Sequence, residues 1–341
     1  MTSNNIVFDI KNVSDEDKNL IQLCIDSILS RRLDQLKLIL SEIDSSVKLN
    51  PINKIHDALY KDSPNSNKTI WDHELNEINN SENWIYSSFL QMLSINDKEI
   101  LRKAKISKSS NIASLGSCFA TNLAKHLKNS GFKNTYTLRV EEAVNSPRLI
   151  DMYFNPDRVP SHQKDTWDSR FGVESKHINN IIPKIDIFIL TFGVGFDLVD
   201  NDNNLYLGLD SIKEKLSSGA LKFRNPELKE QSNYICSCIE SIRHLNSHAP
   251  IIVTLSPVPL SGFFGPKHVI SANSISKASL LLAIESAKSQ SDFIYVPTYE
   301  IVTNLAPIFF YEKIWGEDGT TRHPNNHLIK SICDSFAKLI F

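Results

Sequence analysis

The chain has 341 residues, with 37 Lys and Arg against 39 Asp and Glu, and its formal net charge is -2. This balance argues against a nucleic-acid-binding protein, which needs a basic face, and no apolar run approaches the roughly 18 residues of a membrane helix. Hydrophobic residues make up 41% of the chain, which is enough for a packed core in one large domain or two ordinary ones. The first residues lack the basic and apolar regions of a signal peptide, and five scattered cysteines fit a reducing compartment. We therefore expect a soluble, cytoplasmic globular protein.

Residues 1–105 predict a helical N-terminal region. This stretch is rich in Asn, Ser, Lys and Asp, contains no clear buried strand, and carries apolar residues at helical spacing around Leu23 and Leu36 and again from Trp84 to Ile95. Its sequence does not distinguish a cap from a dimerisation element or a partner-docking module.

Residues 106–341 predict a second domain in which short apolar strands alternate with amphipathic helices. The predicted strands are Asn111–Leu115, Thr135–Val140, Asp186–Phe192, Pro250–Ser256 and Phe293–Pro297. The predicted helices are Ala120–Asn129, Glu227–Asn246, Ser276–Ser289 and Asn325–Ile340. Because parallel strands need crossover connections, this alternation indicates an α/β fold with a parallel sheet covered on both faces. Ligands bind at the carboxyl ends of the strands in such sheets, so motifs at those ends are the candidates for function.

Ser117 stands in the first such motif, between a predicted strand and a predicted helix. A serine at a helix N-terminus can act as a nucleophile, and its own backbone N–H can donate to a developing oxyanion. The structural alternative is a serine that caps the helix.

His323 stands in the second motif, on a polar loop before the last helix and after the carboxylates Glu317 and Asp318. This arrangement suits a general base with an orienting acid, whereas the alternative is an ordinary surface loop. His323 and His327 are four residues apart, as in zinc-binding helices, but Pro324 lies between them and no acidic helix motif accompanies them. We expect no metal site.

Gly193 and Gly195 follow the most apolar strand. Glycines there let the backbone approach a ligand and aim N–H groups into a crevice, and a tight turn is the equally acceptable structural reading. The segment lacks the third glycine of a dinucleotide fingerprint, and the chain has no phosphate-binding loop motif.

Several segments, taken together, resemble the GSCFA family, which is related to the SGNH (GDSL-like) hydrolases. Gly116-Ser117-Cys118-Phe119-Ala120 is the complete name-giving motif. Further matches follow in the expected order, namely Asn145-Ser146-Pro147, Thr191-Phe192-Gly193, Ser256-Pro257-Val258, Asn273 to Ala278, Pro297 to Ile301 and His323-Pro324. The resemblance covers residues 106–341 and leaves the helical N-terminal region outside.

The resemblance implies a three-layer α/β/α, flavodoxin-like fold and a Ser-His-Asp mechanism that requires no cofactor. Ser117 would be the nucleophile and His323 the general base. The acid usually stands three residues before the histidine, where this chain has Thr320, so Asp318 is favoured and Glu317 is the alternative. The usual Gly-x-Asn-Asp oxyanion segment is absent.

The missing oxyanion donors would have to come from elsewhere in the chain. The backbone of Gly193 and Gly195 or the amide of Asn145 are the candidates, alongside the Ser117 N–H. If neither substitutes, the site binds without turnover.

Other residues near these motifs have two readings each. Cys118 at a helix start could have a lowered pKa, and we interpret it as a small buried residue beside the nucleophile. Arg322 could hold an anionic substrate, or it could be a solvated loop charge. Asn273 and Lys277 could face the site or cap the helix that they are expected to open, and Tyr299 could line the pocket or pack in the core.

The sequence thus predicts a serine-dependent esterase or O-acyltransferase that acts on a carbohydrate or polysaccharide precursor through an acyl-serine. Acetyl-CoA is the expected donor if the acceptor is a sugar hydroxyl. The competing hypothesis is a non-catalytic carbohydrate-binding or scaffold protein with a degraded site. The residues do not decide between water and sugar as the acceptor, nor do they fix the oligomeric state.

Overall fold

The structure is a computed structural model that describes residue 78 and residues 83–139, 146–208, 210–310, 312–316 and 322–341. All of these residues belong to one compact unit, Leu75–Phe341. Three predicted site residues, Asn145, Glu317 and Asp318, lie outside the described residues, as do the helices expected around Leu23 and Leu36.

Helices and strands alternate through most of the described chain. The first elements are α1 Trp84–Met92, α2 Ile95–Ala104, β1 Asn111–Gly116, α3 Cys118–Asn129, β2 Asn134–Arg139, α4 Pro147–Phe154, α5 Lys164–Arg170, α6 Gly172–Ile181 and β3 Ile187–Phe192. The later elements are β4 Asp197–Val199, α7 Ile212–Ser217, β5 Lys222–Arg224, α8 Leu228–Leu245, β6 Ile251–Leu255, α9 Val269–Lys288, β7 Ile294–Tyr295 and α10 Asn326–Ile340. A broken helical stretch, with a π-helical turn at Ile301–Leu305, follows β7.

Five parallel strands form the main sheet in the order β2-β1-β3-β6-β7, and β4 and β5 form a separate antiparallel pair. Counted along the main sheet alone, this is the flavodoxin-like order 2-1-3-4-5. Successive strands are added to one side of the sheet up to β2 and to the other side from β3 onward, so the strand order reverses between β1 and β3. The predicted α/β fold with a parallel sheet is confirmed.

Two hydrophobic clusters cover the two faces of this sheet. Side chains alternate along β3, so Ile187 and Ile189 belong to one cluster, and Phe188 and Leu190 belong to the other. Helices α1, α3 and α10 contribute to the first face, and α4, α8 and α9 contribute to the second. All six residues of β3 are fully buried, which explains why the strand reads as a continuous apolar run.

The described part of the predicted N-terminal region consists of α1 and α2. Ser94 separates them, because its side chain accepts a hydrogen bond from Asp97 N–H and caps the second helix. Phe89 of α1 packs edge-on against Phe336 of α10. The rest of this region lies outside the described residues, so its extent as a separate domain stays a prediction.

The structure corrects one predicted helix start. Helix α9 begins at Val269 after the cap residue His268, seven residues before the expected Ser276. Asn273 and Lys277 therefore lie inside the helix and do not cap it.

Within the described residues, no helix is long and apolar enough to cross a membrane.

Candidate functional site at the reversal point of the sheet

Ser117 lies at the carboxyl end of β1, at the point where the strand order reverses. Gly116 has φ 120°, and a Cβ there would stand 2.1 Å from the Thr191 carbonyl oxygen of β3, so only glycine fits. This close approach places Ser117 beside the end of β3. Crevices for ligands form at such reversal points, because the neighbouring connections leave in opposite directions.

Ser117 is the N-cap of α3. Its Oγ accepts a hydrogen bond from Phe119 N–H at 3.3 Å, and its side chain is buried, with 6% of its surface exposed. The structure thus shows the capping role that was the alternative to catalysis. The two roles are compatible, since an N-cap oxygen sits in the positive field at the start of its helix.

The backbone N–H of Ser117 is already used, which corrects an expectation from the sequence. It donates to the Thr191 carbonyl at 3.2 Å and so continues the pairing of β1 with β3 by one residue. It cannot at the same time serve as the main oxyanion donor.

Gly193 supplies a donor that points towards this site. The Phe192 carbonyl accepts from Ser256 N–H at 2.8 Å and therefore points to β6. In a trans peptide the C=O and the N–H point in opposite directions, so the Gly193 N–H points towards β1 and Ser117. Within the part of the chain that the structure describes, this N–H has no hydrogen-bond partner.

Gly195 has a structural role instead. Its N–H donates to Ser276 Oγ at 2.8 Å, and a Cβ at this position would meet Ser276 and Ser279 of α9 at 2.5–2.6 Å. The expectation that its backbone faces a ligand is therefore wrong for the N–H, which is used to hold the segment against α9.

Lys277 and Asn273 hold two strand-end loops. Lys277 Nζ donates to the carbonyls of Gly193 and Ser256, both at 2.8 Å, and Asn273 Oδ1 accepts from Leu260 N–H at 3.0 Å. Lys277 is almost fully buried, and burial lowers its pKa to about 7. The sequence placed these two residues at the site but did not assign these bonds.

Cys118 is half-buried and more exposed than Ser117, so its interpretation as a buried residue was wrong. Burial raises the pKa of its thiol, and the nearby charges of Arg322 and Lys277 act in the opposite direction. A lowered thiol pKa, which was the alternative reading of Cys118, is therefore not what its surroundings produce. The two cations that act on this thiol of α3 belong to α9 and to the loop before α10.

Arg322 is half-buried and bound to the neighbouring loop. Its Nη1 donates to the Pro259 carbonyl at 3.2 Å, so it is not a freely solvated charge. The loop after β6 thus contacts both Arg322 and Asn273.

His323 lies in a segment that is fixed on both sides. Its carbonyl accepts from Gly316 N–H at 3.1 Å, and the next residue, Pro324, bridges to Trp315. Asn325 then caps α10 by accepting from His327 N–H at 2.7 Å. The side chain of Arg322, immediately before His323, donates to the Pro259 carbonyl in the loop after β6, which places this loop at the same edge of the sheet.

His327 does not join this group. Its ring Nδ1 lies 3.1 Å from Glu312 Oε2, within hydrogen-bonding distance. No cluster of three or more His, Cys, Asp or Glu side chains that could hold a metal occurs among the described residues.

Tyr299 and Glu300 lie beyond β7. Tyr299 packs against the hydrophobic cluster that contains Phe188 and Leu190. Tyr295 OH donates to both carboxylate oxygens of Glu300, at 2.9 and 3.0 Å. Packing, which was one of the two readings of Tyr299, is what the structure shows.

Sequence reasoning missed two residues that hold the backbone of the site, Thr191 and Ser276. Thr191 acts through its main-chain carbonyl, which leaves no sequence signal. Ser276 stands in the Asn273 to Ala278 motif, and its position directly before Lys277 was the available signal.

Comparisons with known proteins assign the chain to a family. No curated protein matches the chain. A structure of a Parabacteroides merdae protein, described as a GDSL-like lipase, aligns with a TM-score of 0.35 and 10% identity over 70% of this chain and 98% of that one. The model of the GSCFA family matches residues 139–336, more than half of the chain, although the match begins after the Gly116–Ala120 motif. The chain belongs to the GSCFA family.

Proposed function

We propose that this protein is a serine-dependent acyl-ester enzyme, an esterase or an O-acyltransferase, that acts on a carbohydrate or polysaccharide precursor. The observation that carries the proposal is the position of Ser117. It caps a helix at the reversal point of the sheet, and on the neighbouring strand end the Gly193 N–H, directed towards β1, has no partner among the described residues. A hydroxyl in a positive field beside a free donor is the arrangement that acyl transfer needs.

In the proposed reaction, Ser117 Oγ attacks the acyl carbonyl while His323 takes the hydroxyl proton. The Gly193 N–H and the N-terminal end of α3 hold the oxyanion. When the intermediate collapses, the proton passes from His323 to the leaving alcohol or thiol, and the acyl group stays on Ser117. Asp318 orients the imidazole in this scheme.

The acyl-serine then reacts with water or with a sugar hydroxyl, and His323 accepts the proton of the incoming group. Transfer to a sugar would use a thioester donor such as acetyl-CoA, which a cytoplasmic location would supply. The carbohydrate substrate and the location rest on family analogy.

A non-catalytic carbohydrate-binding or scaffold protein is the second candidate. The specific observation in its favour is that Ser117 is buried and has both its Oγ and its N–H in hydrogen bonds. Turnover requires the Ser117 hydroxyl to donate its proton to His323, and the hydrogen bond that Oγ accepts from Phe119 N–H leaves this donor available.

The test is release of acetate from an O-acetylated hexose, with Ser117→Ala and a matched Ser130→Ala variant at the other end of α3. We expect Ser117→Ala to lose at least about 100-fold in rate and Ser130→Ala to keep the wild-type rate. Adding a free sugar as acceptor separates transfer from hydrolysis by the mass of the product. Equal rates in wild type and Ser117→Ala would favour the binding protein.

A further inference from the structure

Three side chains on the first half of α9 hold the carboxyl edge of the sheet together. Asn273 binds the Leu260 N–H, Ser276 binds the Gly195 N–H, and Lys277 binds the carbonyls of Gly193 and Ser256. Asn273 and Lys277 anchor the loop after β6, and Ser276 and Lys277 anchor the loop after β3. We propose that Lys277 is a positioning residue that joins these two loops and thereby fixes the Gly193 backbone opposite Ser117.

The geometry supports this role because the two carbonyls belong to neighbouring strands. Lys277 Nζ bridges the residue that follows β3 and the residue that follows β6, at equal distances of 2.8 Å. The Gly193 N–H and carbonyl are thus fixed from two directions, by the pairing of Phe192 with Ser256 and by Lys277. A shift of either loop would turn the Gly193 N–H away from the site.

Burying the Lys277 ammonium costs free energy, so its hydrogen bonds are needed to offset the loss of water. Lysine is seldom fully buried without a carboxylate partner, and none of the described carboxylates forms an ion pair with it. The titratable group that acts on it is Cys118 of α3, and Arg322, from the loop before α10, acts on the same thiol. The loop residues 193–195 and 256–260 carry no titratable side chain. An ammonium offers three donors, so two carbonyls can be satisfied at once.

This inference deepens the proposed function and rests on it in one respect, the use of the Gly193 N–H as oxyanion donor. The positioning itself can be tested without any reaction. Hydrogen exchange of peptides covering 193–200 and 256–268 reports directly on the two loops.

The test compares Lys277→Met with Lys288→Met. Lys288 lies on the same helix, and its Nζ binds Asp97 at 3.2 Å, far along the chain from both loops. We expect Lys277→Met to speed exchange at least about tenfold in both loop peptides while β1 and α8 stay protected, and Lys288→Met to leave the loops unchanged. Wild-type exchange in both loops of Lys277→Met would overturn the proposal.

A second variant covers the case in which Lys277→Met fails to fold. Lys277→Gln keeps two N–H donors on a shorter side chain and should restore part of the loop protection. Lys277→Leu has no donor and serves as the comparison. If the loop peptides of Lys277→Gln exchange as fast as those of Lys277→Leu, the hydrogen bonds are not what holds the loops.

Activity gives an independent readout. With an ester substrate, we expect Lys277→Met to lower kcat at least about tenfold and to change KM less than about threefold, because oxyanion donors act in the transition state. A change confined to KM would overturn the positioning role. If the wild type shows no Ser117-dependent activity, the proposed function fails, whereas the exchange result still decides whether Lys277 positions the loops.

Discussion

At the scale of single residues, Gly116 makes the strand-end geometry possible. Its φ of 120° and its contact with the Thr191 carbonyl leave no room for a side chain. The pairing of Ser117 N–H with the same carbonyl depends on that approach. Ser117 would therefore move if β1 and β3 were forced apart.

We predict that Gly116→Ala lowers the free energy of unfolding by more than about 3 kcal/mol, from backbone strain and the steric conflict together. Gly219→Ala is the matched control, because Gly219 also has positive φ but a Cβ placed on it would have nothing within 4 Å. It should cost only about 1 kcal/mol. Urea denaturation measures both, and equal losses would show that the contact with Thr191 does not matter.

A second residue-scale prediction concerns Asp197, which is fully buried. Arg224 Nη2 donates to its Oδ2 at 3.0 Å and also to Glu230 at 2.6 Å, while Arg148 is 3.7 Å from the same oxygen. We expect Arg224→Met to cost about 3 kcal/mol of unfolding free energy, because a buried carboxylate loses its nearest partner.

Lys103→Met is the control for this change. Lys103 and Glu99 form an exposed pair on α2, and solvent screening leaves such pairs little net contribution to stability. Chemical denaturation of the two variants should therefore give clearly different midpoints. A loss at Arg224 no larger than that at Lys103 would contradict the assignment of a buried ion pair.

At the scale of elements, the sequence predicted the long and regular pieces well. Strands β1, β3 and β6 are almost fully buried and mostly apolar, and α8 and α10 have apolar residues at helical spacing, so pattern alone locates them. Helices α4 to α6 were not predicted, because they have only 7 to 10 residues each and so show too few turns for a periodic pattern. The early start of α9 was missed because the exposed Ile270 breaks the expected pattern there.

The site was predicted only in part, for a physical reason. Strand-end motifs indicated Ser117 and Gly193, because a parallel sheet brings its carboxyl ends to one edge. Lys277 came from the family resemblance, which left open whether it faces the site or caps a helix. The use of the Ser117 N–H by Thr191 and the burial of Lys277 depend on how the loops pack. Lysine is normally a surface residue, so no sequence pattern indicates a buried one.

At the scale of the whole molecule, Lys277 gives stability a specific dependence on pH. Burial lowers its pKa from 10.5 in a free side chain to about 7 in the folded protein. Between these two values the unfolded chain binds more protons than the folded chain, so the contribution of Lys277 to stability rises with pH.

We therefore predict that the free energy of unfolding of the wild type, relative to that of Lys277→Met, increases between about pH 7 and pH 10. The hydrogen bonds that Lys277→Met removes change the difference in unfolding free energy by an amount that does not depend on pH. The slope of this difference against pH therefore reports the protonation of Lys277. Urea midpoints at several pH values in this window measure it. A difference that stays constant with pH would mean that Lys277 is not held in a desolvated position.

The central claim is that Ser117 is an activated nucleophile at the reversal point of the sheet. The most direct measurement is reaction of the purified protein with a fluorophosphonate probe, followed by peptide mass spectrometry, for the wild type, His323→Ala and the control His327→Ala. We expect an adduct on Ser117 that His323→Ala abolishes and His327→Ala preserves. An adduct on Cys118, or none on Ser117, would contradict it.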